Sequence, residues 1–206
     1  MKNEESEPKT PIVLMRGELV ALGPIRHDLL PAYQRWINDF GTVRTLAAPP
    51  QPITLEAEER WYQIASVGDE KYFTIYEQGS ERPVGVDSLR EIDFRNRTAD
   101  YGLLIGEPDA RDKGYGTETT VLMLDFAFTA LGLHSLPLSC YEFNRAGQRA
   151  YEKAGFKIIG RRRQCHWMGG RLWDEILMDC LATEFTSPYL ARIFVPDPPR
   201  STAGDG

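Results

Sequence analysis

The chain has 206 residues, 42% of them hydrophobic and 26% charged, which suits one globular domain able to bury a full core. A formal net charge of −6 argues against general nucleic-acid binding, which needs a basic surface, and weakly favours a cationic substrate. No stretch is long and apolar enough to span a bilayer, and the polar, acidic start lacks the apolar segment of a signal peptide.

Residues 1–10 read as a disordered leader. Residues 11–24 give a first strand, with Leu19, Ala21 and the apolar run 12–15 as candidates for burial. Residues 28–40 read as a helix, because Leu29, Tyr33, Trp36 and Ile37 share a face, and Gly41 ends it. After a proline-rich loop, Thr54 caps a second helix over 55–67, with Ala57, Trp61, Ile64 and Ala65 inward. Residues 72–77 and 83–92 form two strands joined by a turn at 78–81. Residues 96–105 make a central strand. Val121, Leu124, Phe128 and Leu131 then recur at helical spacing. A strand over 136–143, a helix capped by Asn144 and a hairpin around Gly169 and Gly170 close the domain. Residues 186–206 read as a proline-rich tail, leaving 11–185 as the domain. The order predicts a mixed α/β sheet with helices on both faces.

Between the central strand and the helix after it stands Ala110-Arg-Asp-Lys-Gly-Tyr-Gly-Thr117. A strand, a glycine-bearing loop and a helix start point unpaired backbone N–H groups at an anion, and the helix dipole adds positive charge. Gly114 and Gly116 allow close approach of a phosphate. Arg111 and Lys113 add full charge at the rim. No Gly-Lys-Ser/Thr follows, so this is not the ATP-binding pattern. Thr119 replaces the third glycine of the dinucleotide fingerprint.

Arg-x-x-Gly-x-Gly resembles the coenzyme A pyrophosphate loop of the GNAT acetyltransferases. About thirty residues on, the segment from Asn144 ends in Tyr151-Glu-Lys-Ala-Gly-Phe156, similar to a second GNAT segment. Local chemistry agrees: Ala146, Ala150 and Ala154 give a narrow face, and Gly155 can end the helix. The run Gly169-Gly-Arg-Leu-Trp-Asp174 resembles the branch holding ribosomal-protein N-terminal and spermidine acetyltransferases. Ile105-Gly-Glu-Pro108 is similar to a segment of aminoglycoside acetyltransferases.

The resemblance implies a GNAT fold, a mostly antiparallel sheet of about seven strands with a splayed central pair. It implies acetyl transfer from acetyl-CoA to a primary amine by direct attack, the acceptor being a polyamine, an aminoglycoside-like molecule or a protein N-terminus. A bulged strand containing Leu103, Leu104 and Ile105 would pair with the pantetheine arm as an added strand. Arg111, Asp112, Lys113, Gly114, Tyr115, Gly116 and Thr117 would surround the pyrophosphate, mostly through backbone N–H. Asp112 is odd there, since a carboxylate beside phosphates is costly unless it points away. Asn144 would touch the pantetheine amide, or only cap its helix.

Tyr151 would stand beside the sulfur. A phenol is a weaker acid than a thiol by about 1.5 pKa units, roughly 2 kcal/mol, so it serves better as a hydrogen-bond donor than as an early proton source. Asp100 is the first choice for base and Glu107 the second. Asp87, Glu91 and Glu142 are further carboxylates for a cationic substrate. Tyr33 and Trp36, with Glu107, would line the acceptor pocket, where aromatic faces attract cations. Cys140, Cys165 and Cys180, and His27, His134 and His166, show neither disulfide nor metal spacing, so we expect no metal and a reducing cytoplasm. A homodimer is expected. The rival is a non-catalytic module that senses CoA or mediates assembly.

Overall fold

Strand alternation gives one sheet two apolar faces, and a separate core forms on each. The computed structural model describes residues 10–46 and 50–197. Its strands are β1 (Met15–Arg16), β2 (Val20–Pro24), β3 (Lys71–Glu77), β4 (Pro83–Asp93), β5 (Thr98–Ile105), β6 (Ser135–Tyr141), β7 (Lys157–Met168) and β8 (Arg171–Leu181). They form an eight-stranded sheet in the order β1-β2-β3-β4-β5-β6-β8-β7. Neighbours are antiparallel except β5 and β6. The extra strand arises because residues 11–24 fold into a small hairpin, Met15 opposite Leu22, instead of one strand.

The helices are α1 (Leu30–Ile37), α2 (Phe40–Val43), α3 (Leu55–Ala65), α4 (Tyr115–Asp125) and α5 (Arg145–Ala154); a π-helical turn, Phe126–Ala130, prolongs α4. The single helix expected over 28–40 is divided. Asp39 takes an extended conformation and its carboxylate accepts the N–H groups of Gly41 and Thr42, so Gly41 lies inside α2 rather than after a helix end. Thr54 caps α3 as expected, accepting from the Ala57 N–H at 3.2 Å. The inward face of α3 is rotated from the expected one. Glu58, Trp61 and Ala65 turn inward, and Ile64 is 72% exposed.

One core lies beneath α4 and α5, where Leu122, Met123, Leu124 and Ala127 meet Ile75, Leu89, Tyr101, Leu136 and Met178. The other lies beneath α1 and α3 and joins Leu30, Tyr33 and Trp36 to Trp61, Tyr72, Val86 and Leu104. Trp36 packs flat on Gly106: a Cβ there would stand 2.2 Å from the indole, so only glycine fits.

The expected tail begins late. The fully buried Asp125 accepts the N–H groups of Tyr189 and Leu190, both at 2.9 Å, and Leu190 enters the core. Residues 187–190 therefore belong to the fold. The expected leader and the last residues of the tail lie outside the described residues.

A second carboxylate of α4 ties down the other end of the chain. Glu118 accepts the successive N–H groups of Glu18, Leu19 and Val20, each at 2.7 Å, and the Tyr189 hydroxyl at 3.3 Å. Hydrogen bonds to charged groups contribute roughly 1.5–3 kcal/mol each when shielded. Glu118→Ala should destabilise the protein by about 2–4 kcal/mol, read from urea unfolding. Glu118→Gln should recover part of the loss, because its amide oxygen still accepts.

Candidate active site

The site begins where two parallel strands part. β5 and β6 share one register pair, Thr98 opposite Ser135, and no further pairing follows. β6 is held along its whole length by β8, from Ser135–Leu181 to Tyr141–Glu175. β5 stays with β4 in unbroken register from Asp100 to Ile105. The strand containing Leu103, Leu104 and Ile105, expected to be bulged, shows no register shift against β4 in that stretch. The register shift lies in β4, after Arg90, where Glu91 has a φ of +50°. The split needs no bulge beside it, since each strand is satisfied by its other neighbour. The β6-facing edge of Leu103 to Ile105 is left without a strand partner.

A cleft of about 430 Å³ opens over this gap, lined by Leu103, Leu104, Ile105, Arg111, Asp112, Gly114, Gly116, Thr117, Asn144 and Tyr151, among others. Gly114 is the N-cap of α4 with φ +86°, and no side chain caps the first-turn amides. The N-terminal N–H groups thus remain available to an anion. A side chain at Gly114 would be strained by that φ and would press on Leu19 at 3.2 Å. Arg111 donates to the Thr42 hydroxyl at 2.6 Å and stands 3.9 Å from Asp39, so α2 is tied to the loop. Asp112 takes the left-handed region, φ +59°, on an exposed part of the loop.

Two residues of the expected phosphate loop turn their side chains elsewhere. The Tyr115 hydroxyl donates to Glu77 at 2.7 Å, and the Lys113 ammonium lies 3.8 Å from the same carboxylate. Donation from Tyr115, then from Ser80, holds Glu77 below the usual carboxylate range. An ionised carboxylate at the end of β3 thus claims both side chains, and neither lines the cleft.

α5 supplies the far wall. Asn144 caps it, accepting the Gly147 N–H at 3.0 Å, and also lines the cleft. Ala146 and Ala150 line the cleft, and Arg149 and Lys153 join them. With Gly41, Thr42, Arg44 and Thr45 of the α2 region, and with Ala110 and Gly147, these are the lining residues that sequence reasoning missed. The i, i+4 spacing of 146/150 and 149/153 beside Tyr151 was the available signal. Tyr151 is buried, edge-on to the Tyr101 ring at 6.2 Å. Burial, then the nearby Cys140, pushes its phenol well above the ordinary value, and burial pushes the Cys140 thiol up to about 12.

The expected acceptor residues are placed differently. Tyr33 and Trp36 are 3% and 1% exposed and form core. The Tyr33 hydroxyl meets Thr74 at 2.5 Å, and burial raises its phenol to about 12. Glu107 accepts from the Trp36 indole at 2.9 Å and pairs with Arg35, so it braces α1 and is not free to act as a base or substrate ligand. Helical spacing identified the inward face of α1 correctly, but that face meets the sheet, not a pocket. Asp100 is exposed and lies opposite Arg90. Alternation puts it on the sheet face away from Tyr101, so it does not line the cleft.

Asp87, expected among the carboxylates for a cationic substrate, is instead buried in the core. It lies opposite Leu103 on the α4 side, 1% exposed, and neither oxygen has a hydrogen-bond partner among the described residues. Burial raises its pKa well above the free value of 3.8.

A positive helix start joined by a cleft to a buried tyrosine, over an open strand edge, is the arrangement that the resemblance to an acyltransferase with a phosphorylated acyl carrier implies. Comparison narrows the class. Residues 20–157 match the family described as acetyltransferase (GNAT) domain, and the chain belongs to that family. The spermidine N(1)-acetyltransferase of Escherichia coli K12 is 25% identical over 173 residues, 84% of this chain and 89% of that protein. Its Vibrio cholerae counterpart is 27% identical over 130 residues, 63% and 74% of the two chains. In structure, the chain resembles spermidine N-acetyltransferase from Vibrio cholerae, solved in complex with CoA and spermine, with a TM-score of 0.74 at 22% identity over 82% of this chain and 98% of that one. The protein is an acetyl-CoA-dependent N-acetyltransferase. Among the described residues no group of three His, Cys, Asp or Glu side chains could hold a metal, and no helix is long and apolar enough to cross a membrane.

The Asp87 carboxyl predicts how stability varies with pH. The unfolded chain releases this proton near pH 4, whereas the fold retains it. The folded state therefore binds more protons above that pH, and stability falls as pH rises towards the folded pKa. Asp87→Asn removes the ionisation. It should raise the urea midpoint at pH 7–8, with the advantage shrinking towards about pH 4.

Proposed function

We propose that the acceptor is a small cationic polyamine and that Tyr151 and Asp100 serve the transfer in the cytoplasm. The observation that carries this reading is one continuous cleft joining the uncapped start of α4 to Tyr151. The cleft fits acetyl-CoA: the α4 amides and Arg111 suit the diphosphate, and the unpaired edge of Leu103 to Ile105 suits the amide-bearing arm. The cosubstrate supplies a thioester. The related enzymes named for spermidine, and this chain's net charge of −6, favour a polycation.

An amine with a pKa of about 10 must lose a proton before it attacks. Asp100 stands on the face away from Tyr101, two residues beyond the last β5–β6 pair. It takes the amine proton through water, since it does not reach the cleft itself. As the amine nitrogen bonds to the acetyl carbon the carbon–sulfur bond breaks, and Tyr151 donates a hydrogen bond to the departing thiolate, which then takes a proton from water. With its pKa raised by burial, Tyr151 remains protonated throughout and gives up no proton early.

Incubation with acetyl-CoA and an amine panel, read by thiol release and product mass, tests the acceptor. Spermidine-type amines should outpace aminoglycosides and peptide N-termini; a clear preference for peptides would replace the polyamine. Tyr151→Phe should lower kcat/KM by roughly 10²-fold. An unaltered rate would take Tyr151 out of the chemistry. Assembly as a homodimer belongs to the same reading. The edge strand β7 exposes Ile158 at 55% and Ile159 at 60%, and light scattering should report twice the chain mass.

A further inference from the structure

Two points on the open edge of β5 fix its direction. At one end Ile105 and the start of α4 line the cleft together. At the other, Tyr151 stands edge-on to Tyr101. From the anion end towards the tyrosine the edge runs Ile105, Leu104, Leu103 and then Gly102. The reacting end of a bound thioester therefore lies beside Gly102. Leu104 lines the cleft and also packs against the core beneath α1 and α3, so the cleft opens towards that face. The other face is closed by α4 and α5. An amine reaches the thioester from the α1 face.

On that face the register sets Tyr72, Ser88 and Gly102 in one row, and Arg90 and Asp100 in the next. Arg90 does not reach straight across to Asp100. Its guanidinium lies over Gly102, where a Cβ would stand 3.4 Å from Nη2 and 3.2 Å from the Ser88 hydroxyl. Among the described residues Arg90 makes no hydrogen bond and no ion pair. The charged and titratable groups around it are Asp100 across on β5, Glu91 next along β4, and Tyr72 with Glu70 on the β3 side. The Tyr72 hydroxyl donates to Glu70 at 2.7 Å, and burial raises its phenol to about 12, so it stays neutral. Arg90 thus brings an uncommitted positive charge to the place where the amine must arrive without one.

We propose that Arg90 holds the incoming amine in its neutral, attacking form. The inference rests on the amine-transfer reading above. A neighbouring cation disfavours an ammonium and leaves a neutral nitrogen almost untouched. A guanidinium keeps its charge at every working pH. Asp100 acts on charge in the opposite sense, but it stands one row further from the reacting end, where the remaining ammonium groups of a polyamine can lie. The bound ammonium gives its proton through water to Asp100. Its lone pair then bonds to the acetyl carbon, the carbon–sulfur bond breaks, and the thiolate takes a proton from water. Arg90 is unchanged throughout.

Single-turnover thiol release tests this, with the full chain saturated in acetyl-CoA and in the fastest amine of the panel, between about pH 6 and 10. Arg90→Gln should move the rising limb of the rate up by on the order of one pH unit, a loss of about tenfold at pH 7 that vanishes at the alkaline end. Affinity for acetyl-CoA should not change. Arg90→Lys, which keeps the charge, should hold the limb near its original place. Added salt should move the limb of the unaltered protein upward and that of Arg90→Gln less. Arg95→Gln, in the exposed turn between β4 and β5, should leave it in place. A limb unmoved in Arg90→Gln, a loss equal at every pH, or a limb displaced as far by lysine as by glutamine would overturn the inference while leaving the transferase in place. No transfer to any amine by the unaltered protein would remove both.

Discussion

The separation of β5 from β6 is the constraint on which the site depends. Two parallel neighbours in one sheet normally pair along their length, because an unpaired backbone edge inside a protein is costly. Here the cost is limited by giving each strand a full partner on its far side. β4 holds β5 and β8 holds β6, and both ladders run past the point of separation. Beyond the single pair the facing edges of β5 and β6 are both open, and the edge of Leu103 to Ile105 can take an added strand. A bulge in β5 would be redundant, and β5 has none against β4 in this stretch. The fold makes its binding site by distributing hydrogen bonds, not by distorting a strand.

The second requirement is that α4 starts at the right place with its amides free. Its own carboxylates see to the placement. Glu118 gathers three backbone N–H groups from the first hairpin, and Asp125 gathers two from the segment after β8. Both chain ends are thereby fastened to one helix. The hydroxyl of Thr120 bonds back to the Gly116 carbonyl and meets the Tyr101 hydroxyl, fixing the first turn against β5. Nothing of this kind occupies the N-cap, where Gly114 has no side chain to offer. The amides are left free because Gly114 has no side chain to offer and the Lys113 and Tyr115 side chains turn to Glu77.

What the sequence disclosed follows the range of the interaction. Thr54, Asn144, Gly114 and Gly155 act within a turn of themselves, and the caps and left-handed positions are where their residue types put them. The two-part motif located the cleft because its halves lie on the two helices that form it. Direction across the fold was not legible. Lys113 and Tyr115 sit in the loop by number but are claimed by Glu77, a strand away in space. Glu107 looks like a free carboxylate until Arg35 and Trp36 are seen on it. Asp87 looks like a surface charge in a strand with acidic neighbours, yet its parity turns it into the core. No local signal distinguishes these cases, since each depends on which side of the sheet a partner approaches.

The buried tyrosine shows how the same packing sets the chemistry. Tyr151 stands among Tyr101, Phe156 and Cys140, three groups that offer little to stabilise a phenolate. An apolar surround raises the cost of removing its proton, which makes it a poor acid. It also lowers the local dielectric, which strengthens the hydrogen bond it can give to charge appearing beside it. The two effects have one cause and opposite consequences for mechanism. A surface phenol would part with its proton more readily but would hold a nascent thiolate less firmly, because water would compete for the same charge. In the role proposed for Tyr151, packing α5 so that its ring is dry and its edge lines the cleft favours stabilisation over proton transfer. The neighbouring thiol of Cys140, lifted by the same burial to about 12, stays protonated and leaves the incoming amine as the nucleophile.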